Sequence, residues 1–309
     1  MSSAALITLG SMSLVTNSFL LSFIWSKSGL RSLSTAILQS MLINGILWSI
    51  YVIVRFTGQF SSYSIYLCIL LPRLGQGMFV NLNLHACFIM LERYVSVAFP
   101  FRYERLITKT TITIIITTVW TLSSIIPITA VVTLSENSNS INNCSLKYVN
   151  SFVVVDTNIH ICLLVVACFL LVILFLMYSR VICLVRTQEI RLVKSYTLED
   201  TAPNDTRSVR VRRERKAVIQ AIVVFTFYFT LLMPFLLSST LAFYNLTSTA
   251  RLQAASTTRY LAFSYPAIQP FIYAYYTANI RKALISTIFK RKTEFNQINT
   301  MRSPNISTH

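Results

Sequence analysis

Seven long apolar runs, separated by polar connections, are the feature that most limits how this 309-residue chain can fold. A helix needs roughly 20 apolar residues to cross about 30 Å of hydrocarbon, and each run is long enough. Because a backbone in lipid must satisfy its own hydrogen bonds, and because the alternation typical of barrel strands is absent, the runs predict helices. The runs occupy about residues 4–25, 33–56, 65–97, 111–134, 151–179, 216–243 and 252–276.

The composition also indicates a membrane protein. Hydrophobic residues make up 54% of the chain and charged residues only 12%, which is more apolar material than a soluble domain of this size can bury. The net charge of +17 raises the question of nucleic acid binding. The basic residues, however, lie between the apolar runs rather than across one domain. We therefore expect no nucleic acid partner and expect membrane lipids around the chain.

The lysines and arginines of the connections predict the orientation in the membrane. If the first, third and fifth connections and the C-terminus are placed inside, they hold 22 of the 27 basic residues. The N-terminus is then outside and the C-terminus cytoplasmic, in a multi-pass protein of the plasma membrane. The first run has no basic segment before it, so we interpret it as a helix and not as a cleaved signal. We expect residues 1–290 to form the membrane domain and 291–309 a flexible cytoplasmic tail.

Two of the six cysteines fall on the outer side in this topology. Cys68 lies at the outer end of the third run, and Cys144 lies in the connection SENSNSINNCSLKYVN. An oxidising compartment favours a disulfide between them. In the chain-entropy model, closing this loop stabilises the fold by about 4 kcal/mol, and it also holds the connection over the bundle.

A set of motifs follows in order along the runs. Cys68 stands 25 residues before Arg93, Trp120 lies in the fourth run and Pro234 in the sixth, and two short stretches complete the set: Glu92-Arg93-Tyr94 and Gln269-Pro270-Phe271-Ile272-Tyr273. Over nearly its whole length the chain resembles a class A (rhodopsin-like) G-protein-coupled receptor. The resemblance implies an all-α membrane protein: a seven-transmembrane helix bundle with a short amphipathic C-terminal helix. It implies no enzyme, no cofactor and no metal site.

Within that family the chain is most similar to fish-type odorant receptors. The stretch from Arg93 to Tyr103 is similar to the odorant-receptor stretch RYVAICxPLRY, and Pro270 to Tyr273 followed by Lys282-Ala283-Leu284 is similar to their PFIY…KAL end. Asn17 and Asn44 fit the same group, with Asn44 in place of the usual Asp.

The resemblance implies a switch at the inner end of the third run. Glu214 lies 20 residues before Pro234, at the family position whose acid pairs with the triplet arginine. We expect Arg93 to bridge Glu92 and Glu214 at rest and to be released when the sixth helix moves and a G protein binds. The alternative is that Glu214 merely sits in water among basic residues. The residues expected in switching and G-protein coupling are Glu92, Arg93, Tyr94, Tyr178, Glu214, Pro234, Gln269, Pro270 and Tyr273.

The same resemblance places a small-molecule site in the outer half of the bundle. The expected ligand-binding residues are Arg55, Gly75, Gln76, Phe79, Val80, Phe235, Leu236, Ser239, Arg259 and Phe263. Gly75 replaces the Asp that binds amines, so an amine ligand is not expected. The guanidinium groups of Arg55 and Arg259 favour a carboxylate or another acidic odorant. The alternative is that they reach the outer surface or pair with Asp156 or Glu136.

The resemblance has consequences for two further sets of residues inside the bundle. Gln39, His85 and Trp120 fall at family positions that meet as a structural hydrogen-bond cluster. The family's sodium pocket lacks the carboxylate that a sodium ion requires, because Asn44, Leu82 and Gln269 occupy its positions. We therefore expect no strong effect of sodium on ligand affinity.

We conclude from the sequence that the chain is an odorant receptor that binds a small odorant and activates a heterotrimeric G protein of the stimulatory class. A class A receptor for another small ligand remains an alternative, as does, less favoured, a transporter or channel. A transporter would show repeated halves, broken helices and acidic residues at mid-membrane, and the sequence shows no clear sign of them.

Overall fold

The structure, a computed structural model, describes residues 3–57, 65–137, 226–241 and 249–288, with scattered positions between 161 and 223. In this part of the chain all regular structure is helical. A short 3-10 turn, Ser28–Leu30, joins the first two helices. The helices are α1 Ser3–Ser26, α2 Leu33–Thr57, α3 Ile65–Ala98, α4 Pro100–Leu106, α5 Lys109–Asn137, α6 Thr226–Leu241, α7 Thr249–Tyr276 and α8, residues 278–288.

These helices confirm the predicted all-α membrane fold. The bounds of α1, α2 and α3 lie within about one residue of the first three apolar runs, and α5 and α7 extend the fourth and seventh runs by a few residues. Four helices of the described chain are long and apolar enough to cross a membrane, and α6 is a shorter apolar helix. The fifth run is described only at scattered positions, which are helical. The sequence analysis did not predict α4, which begins at Pro100, a residue suited to a first helical turn.

The bundle packs α1 against α2 and α7, and α3 against α2 and α5. Its interior is apolar and contains large buried side chains such as Trp48, Leu232 and Tyr265. Large apolar side chains also cover the outside: Val15 and Phe19 are more than 60% exposed. An apolar exterior of this extent is unusual for a soluble protein and is what a helix bundle presents to lipid.

Two prolines open places where neighbouring helices meet. Pro270 has no N–H, so the carbonyl of Pro266, four residues earlier in α7, loses its partner within the helix. The Asn17 amide of α1 donates to that carbonyl at 2.9 Å. In α5, Pro127 likewise deprives the Ser123 carbonyl of its hydrogen-bond partner within the helix. Gly77 of α3 packs against that carbonyl so closely that an added Cβ would lie only 2.7 Å from it. The polar backbone at each proline is therefore covered by another helix, as burial requires.

The C-terminal helix α8 follows α7 after Thr277. One face carries the buried Ile280, and Ile285 and Ile288 are exposed. The Arg281 guanidinium donates to the Tyr275 carbonyl at 2.9 Å and fixes the start of α8 against the end of α7. This is the short C-terminal helix that the sequence predicted. The expected tail, 291–309, lies outside the described residues.

Candidate functional site

A cavity of about 230 Å³ lies between α2, α3, α6 and α7. Its wall is mainly aromatic, and two arginines, one from α2 and one from α7, add positive charge. The lining residues are Trp48, Tyr51, Arg55, Phe56, Gly75, Gln76, Phe79, Phe235, Leu236, Arg259 and Phe263. No carboxylate is among these lining residues.

The aromatic rings of the wall pack on one another. Trp48 lies edge-on to Phe263, with ring centroids 5.1 Å apart, and it also contacts Tyr51 and Phe79. Phe79 in turn meets Phe235 of α6 at 6.2 Å. Edge-to-face packing at these distances is favourable, so the wall is held in shape by its own contacts.

The two arginines of the cavity are close enough to repel each other. Arg55 and Arg259 interact electrostatically with one another and with the Tyr51 hydroxyl. Both guanidinium groups are half-buried, where water screens their repulsion less than at an open surface. The cavity therefore combines an apolar wall with a concentrated positive charge, a combination suited to a small anion with an apolar body.

Gly75 is needed for the shape of the cavity. A Cβ at this position would collide with the ring and hydroxyl of Tyr51. Because glycine has no side chain, the Tyr51 ring can lie against α3 at this point. The residue that replaces the amine-binding Asp therefore also makes room for an aromatic ring.

The structure brings together eight of the ten residues predicted to bind ligand. They are Arg55, Gly75, Gln76, Phe79, Phe235, Leu236, Arg259 and Phe263. Val80 is half-buried and Ser239 is buried with its hydroxyl donating to the Leu236 carbonyl, and neither lines the cavity. That these residues bind a ligand remains a prediction.

Sequence reasoning missed Trp48, Tyr51 and Phe56. A signal for two of them was present, because Trp48 and Tyr51 precede Arg55 by seven and four residues and so lie on the same helical face. Extending the face of Arg55 along the second run would have found both.

At the other end of the bundle, Glu92 is buried, with 4% of its surface exposed. Its carboxylate accepts a hydrogen bond from the Tyr103 hydroxyl of α4. Tyr94 packs edge-on against Phe99, 6.2 Å between centroids. The turn at Pro100 thus folds α4 back onto the end of α3 and supplies a partner for a buried charge, as burial of a carboxylate requires.

The other predicted switch residues are only partly within the described chain. Glu214, Tyr178 and the side chain of Arg93 lie outside the described residues. The expected bridge from Arg93 to Glu92 and Glu214 therefore stays a prediction. Pro234 lies in the middle of α6, and Pro270 in α7. Gln269 and Tyr273 of α7 are buried at 2% and 1% exposure.

The hydrogen-bond cluster between α2, α3 and α5 contains Ser40 where Gln39 was predicted. Ser40 lies 2.8 Å from His85 Nε2, and the Trp120 indole donates to the Ser40 hydroxyl at 2.9 Å. Gln39 faces α1, where it accepts from Trp25 at 3.1 Å. The prediction of Gln39 was wrong because neighbouring helix residues point about 100° apart, and packing selects Ser40 for the interior.

The expected sodium-pocket positions hold no carboxylate. Asn44 donates to the Met78 carbonyl at 3.1 Å, and Leu82 is part of the apolar core. Among the described residues no group of three or more His, Cys, Asp or Glu is placed to hold a metal ion. The predicted disulfide lies outside the part of the chain that the structure describes, as do Cys144 and the side chain of Cys68.

A match to a family sequence model over most of the chain shows the family to which the chain belongs. The sequence model described as "7 transmembrane receptor (rhodopsin family)" matches residues 16–273. The chain belongs to this family. This rhodopsin-family receptor is a multi-pass membrane protein for signal transduction and not an enzyme. Receptors of the family act with a ligand and a G protein. A comparison with curated proteins found no match.

Proposed function

We propose that this rhodopsin-family receptor is an odorant receptor that binds a small acidic odorant in the aromatic cavity and activates a heterotrimeric G protein of the stimulatory class. The observation that carries the proposal is that two arginines, Arg55 and Arg259, line one aromatic cavity whose described lining residues include no carboxylate. Two like charges in partly buried positions repel each other. A carboxylate removes that repulsion and can accept bidentate hydrogen bonds from a guanidinium.

The size of the cavity supports a small ligand. Ligand pockets are commonly about 300–1,000 Å³, and the cavity here measures about 230 Å³. The aromatic wall provides most of the contact area for an apolar body, and the arginines fix one polar end. Such a site fits a volatile carboxylic acid better than a peptide.

A reporter assay tests the acidic ligand directly. Cells that express the full chain and the olfactory stimulatory G protein are exposed to straight-chain and aromatic carboxylates and to the matching alcohols, and cAMP is measured. We expect Arg259→Gln to abolish responses to the carboxylates and to spare responses to the alcohols. Lys27→Gln removes an exposed basic residue away from the cavity and serves as the control. Equal responses of Arg259→Gln to both classes would refute the acidic ligand.

The orientation is part of the proposal: the cavity end faces outside, and the end with Glu92 faces the cytoplasm of a cell with this receptor in its plasma membrane. The excess of basic residues in the connections assigned to the inside supports it. Antibody staining of intact cells should detect an N-terminal tag and miss a C-terminal one. Detection of both tags without permeabilisation would reverse this part of the account.

We further propose that Arg93 links Glu92 to Glu214 in the resting receptor. The burial of Glu92 supports the proposal, since a charge at this depth is normally paired or functional. Glu214→Gln should raise cAMP without ligand at matched surface expression. Unchanged basal cAMP would leave Glu214 as a solvated acid among basic residues.

The disulfide between Cys68 and Cys144 is proposed on their shared outer position. Replacing either cysteine with Ser, or both, should lower surface expression to the same degree, because each change removes the same bond. Clearly unequal losses for the two single variants would contradict the pairing.

A further inference from the structure

One contact behind the cavity wall decides which hydrogen-bonding group the wall presents. Arg73 lies one helical turn before Gln76 on α3, and its guanidinium donates to the Gln76 side-chain oxygen at 3.2 Å. Arg73 is 4% exposed and does not line the cavity, whereas Gln76 does. The contact therefore joins a buried cation to a polar residue of the wall.

The direction of the Gln76 amide follows from the chemistry of arginine. A guanidinium has only donors, so the group that faces it must be the oxygen of the amide. The amide nitrogen then occupies the other branch of the side chain. Because that nitrogen carries two hydrogens, it can serve a ligand even where another protein group uses one of them.

The polar groups of the wall are then biased toward donation. The Arg55 and Arg259 guanidinium groups can only donate, and both interact electrostatically with Tyr51. If Gln76 were free to turn its oxygen into the cavity, it would repel an anion. Held by Arg73, it adds a donor on the α3 side of the cavity, apart from the donors of α2 and α7.

We propose that Arg73 is a positioning residue that fixes Gln76 as a hydrogen-bond donor, and that Gln76 selects ligands with an acceptor at that place, carboxylates above alcohols. The inference rests on the proposed acidic ligand and deepens it. It assigns selectivity to Gln76 and Arg73 in addition to the two arginines of the wall.

The most direct test exchanges the donor for an acceptor. Gln76→Glu keeps an oxygen for Arg73 and places the second carboxylate oxygen where the amide nitrogen was. We expect the potency of carboxylates to fall about 100-fold, since a charge-assisted hydrogen bond is replaced by repulsion, while the potency of the matching alcohols changes by less than about threefold. Potencies are measured as cAMP dose–response curves at matched surface expression.

Changes at Arg73 test the positioning role. Arg73→Gln can both donate and accept, so Gln76 is no longer held in one direction, and the carboxylate-to-alcohol potency ratio should fall about tenfold. Arg73→Lys offers only donors and should keep the ratio close to that of the unchanged receptor. A residue that only supports the fold would lower both potencies together and leave the ratio unchanged.

The outcomes separate this inference from the function on which it rests. If the unchanged receptor does not respond to carboxylates, or if Arg259→Gln still does, the acidic ligand is wrong and this inference is refuted with it. If Arg259→Gln loses the carboxylate response while Gln76→Glu and Arg73→Gln keep the original ratio, only the inference about Gln76 and Arg73 is refuted. A fall of the carboxylate-to-alcohol potency ratio in Gln76→Glu and in Arg73→Gln, with the original ratio kept in Arg73→Lys, supports the inference.

Discussion

The two ends of the bundle place their charged side chains in different surroundings. At the cavity end, Arg55 and Arg259 line an open space, and no carboxylate is among the described residues of its wall. At the triplet end, the Glu92 carboxylate is buried and accepts a hydrogen bond from the Tyr103 hydroxyl. Phe79 of the cavity and Glu92 stand 13 residues apart on α3, or about 20 Å of helix. Helix α3 thus runs from the cavity lined by the two arginines to the buried Glu92.

The difference bears on which end meets an outside molecule. Two guanidinium groups that line a cavity can donate hydrogen bonds to an anion that enters it, whereas the carboxylate at the triplet end is buried beneath α4. We therefore propose that ligand binding belongs to the cavity end and restraint of the resting state to the triplet end. Changes at the two ends should have separable effects on ligand potency and on basal activity.

The largest separable effect is expected from filling the cavity. In Gly75→Leu even the Cβ would collide with Tyr51, and the longer side chain would enter the space that a ligand needs. Ligand potency should fall at least about 100-fold with basal cAMP unchanged. Gly29→Leu is the control, since an added Cβ there meets nothing within 4 Å. A potency loss of the same size in the control would show that the effect is not specific to the cavity.

Substitutions in the hydrogen-bond cluster of Ser40, His85 and Trp120 should lower the stability of the receptor without changing ligand potency or basal activity. Ser40→Ala removes the hydroxyl that contacts His85 Nε2 and accepts from the Trp120 indole, while His85 Nδ1 keeps its contact with the Asn81 carbonyl. Each group left unsatisfied costs about 1–3 kcal/mol. The melting temperature of the purified receptor in detergent should fall by several degrees. Gln39→Ala should have little effect, because Gln39 contacts the exposed Trp25. A larger fall in melting temperature for Gln39→Ala than for Ser40→Ala would show that Gln39 belongs to the cluster.

A smaller effect is expected at the triplet end. Tyr103→Phe removes the hydroxyl that donates to Glu92 and should raise basal cAMP about tenfold, in keeping with the loss of roughly 1.5 kcal/mol from a hydrogen bond to a charged group. Ligand potency should change less than basal activity. Tyr275→Phe, on an exposed ring of α7, is the matched control. Reduced ligand potency with unchanged basal activity would contradict the separation of roles between the two ends.

The smallest effect is expected for sodium. Two of the positions of the family's sodium pocket hold Asn44, whose amide donates to a backbone carbonyl, and the buried, apolar Leu82. Because no carboxylate is present at these positions, replacing sodium with a large organic cation at constant ionic strength should leave the dose–response curve in place. A several-fold displacement of the curve would reveal a cation site in the bundle and contradict the prediction.

Helix positions could be predicted from sequence, whereas several contacts could not. The bounds of α1 to α3 follow from the length of apolar runs, because spanning lipid needs a fixed length of helix. The Gln39 prediction failed because one residue along a helix changes the facing direction, and only packing decides which side is inside. The contact between Glu92 and Tyr103 depends on the turn before α4, and nothing in the spacing of the two residues indicates it.

Reversing one charge in the cavity tests the central claim most directly. In Arg259→Glu, a carboxylate replaces the guanidinium of α7 and offsets the charge of Arg55, so the cavity loses its net positive charge. We predict that carboxylates lose their effect on cAMP while the matching alcohols keep theirs, with surface expression unchanged. A variant that still responds to carboxylates as the unchanged receptor does would contradict the claim that this cavity recognises an anion.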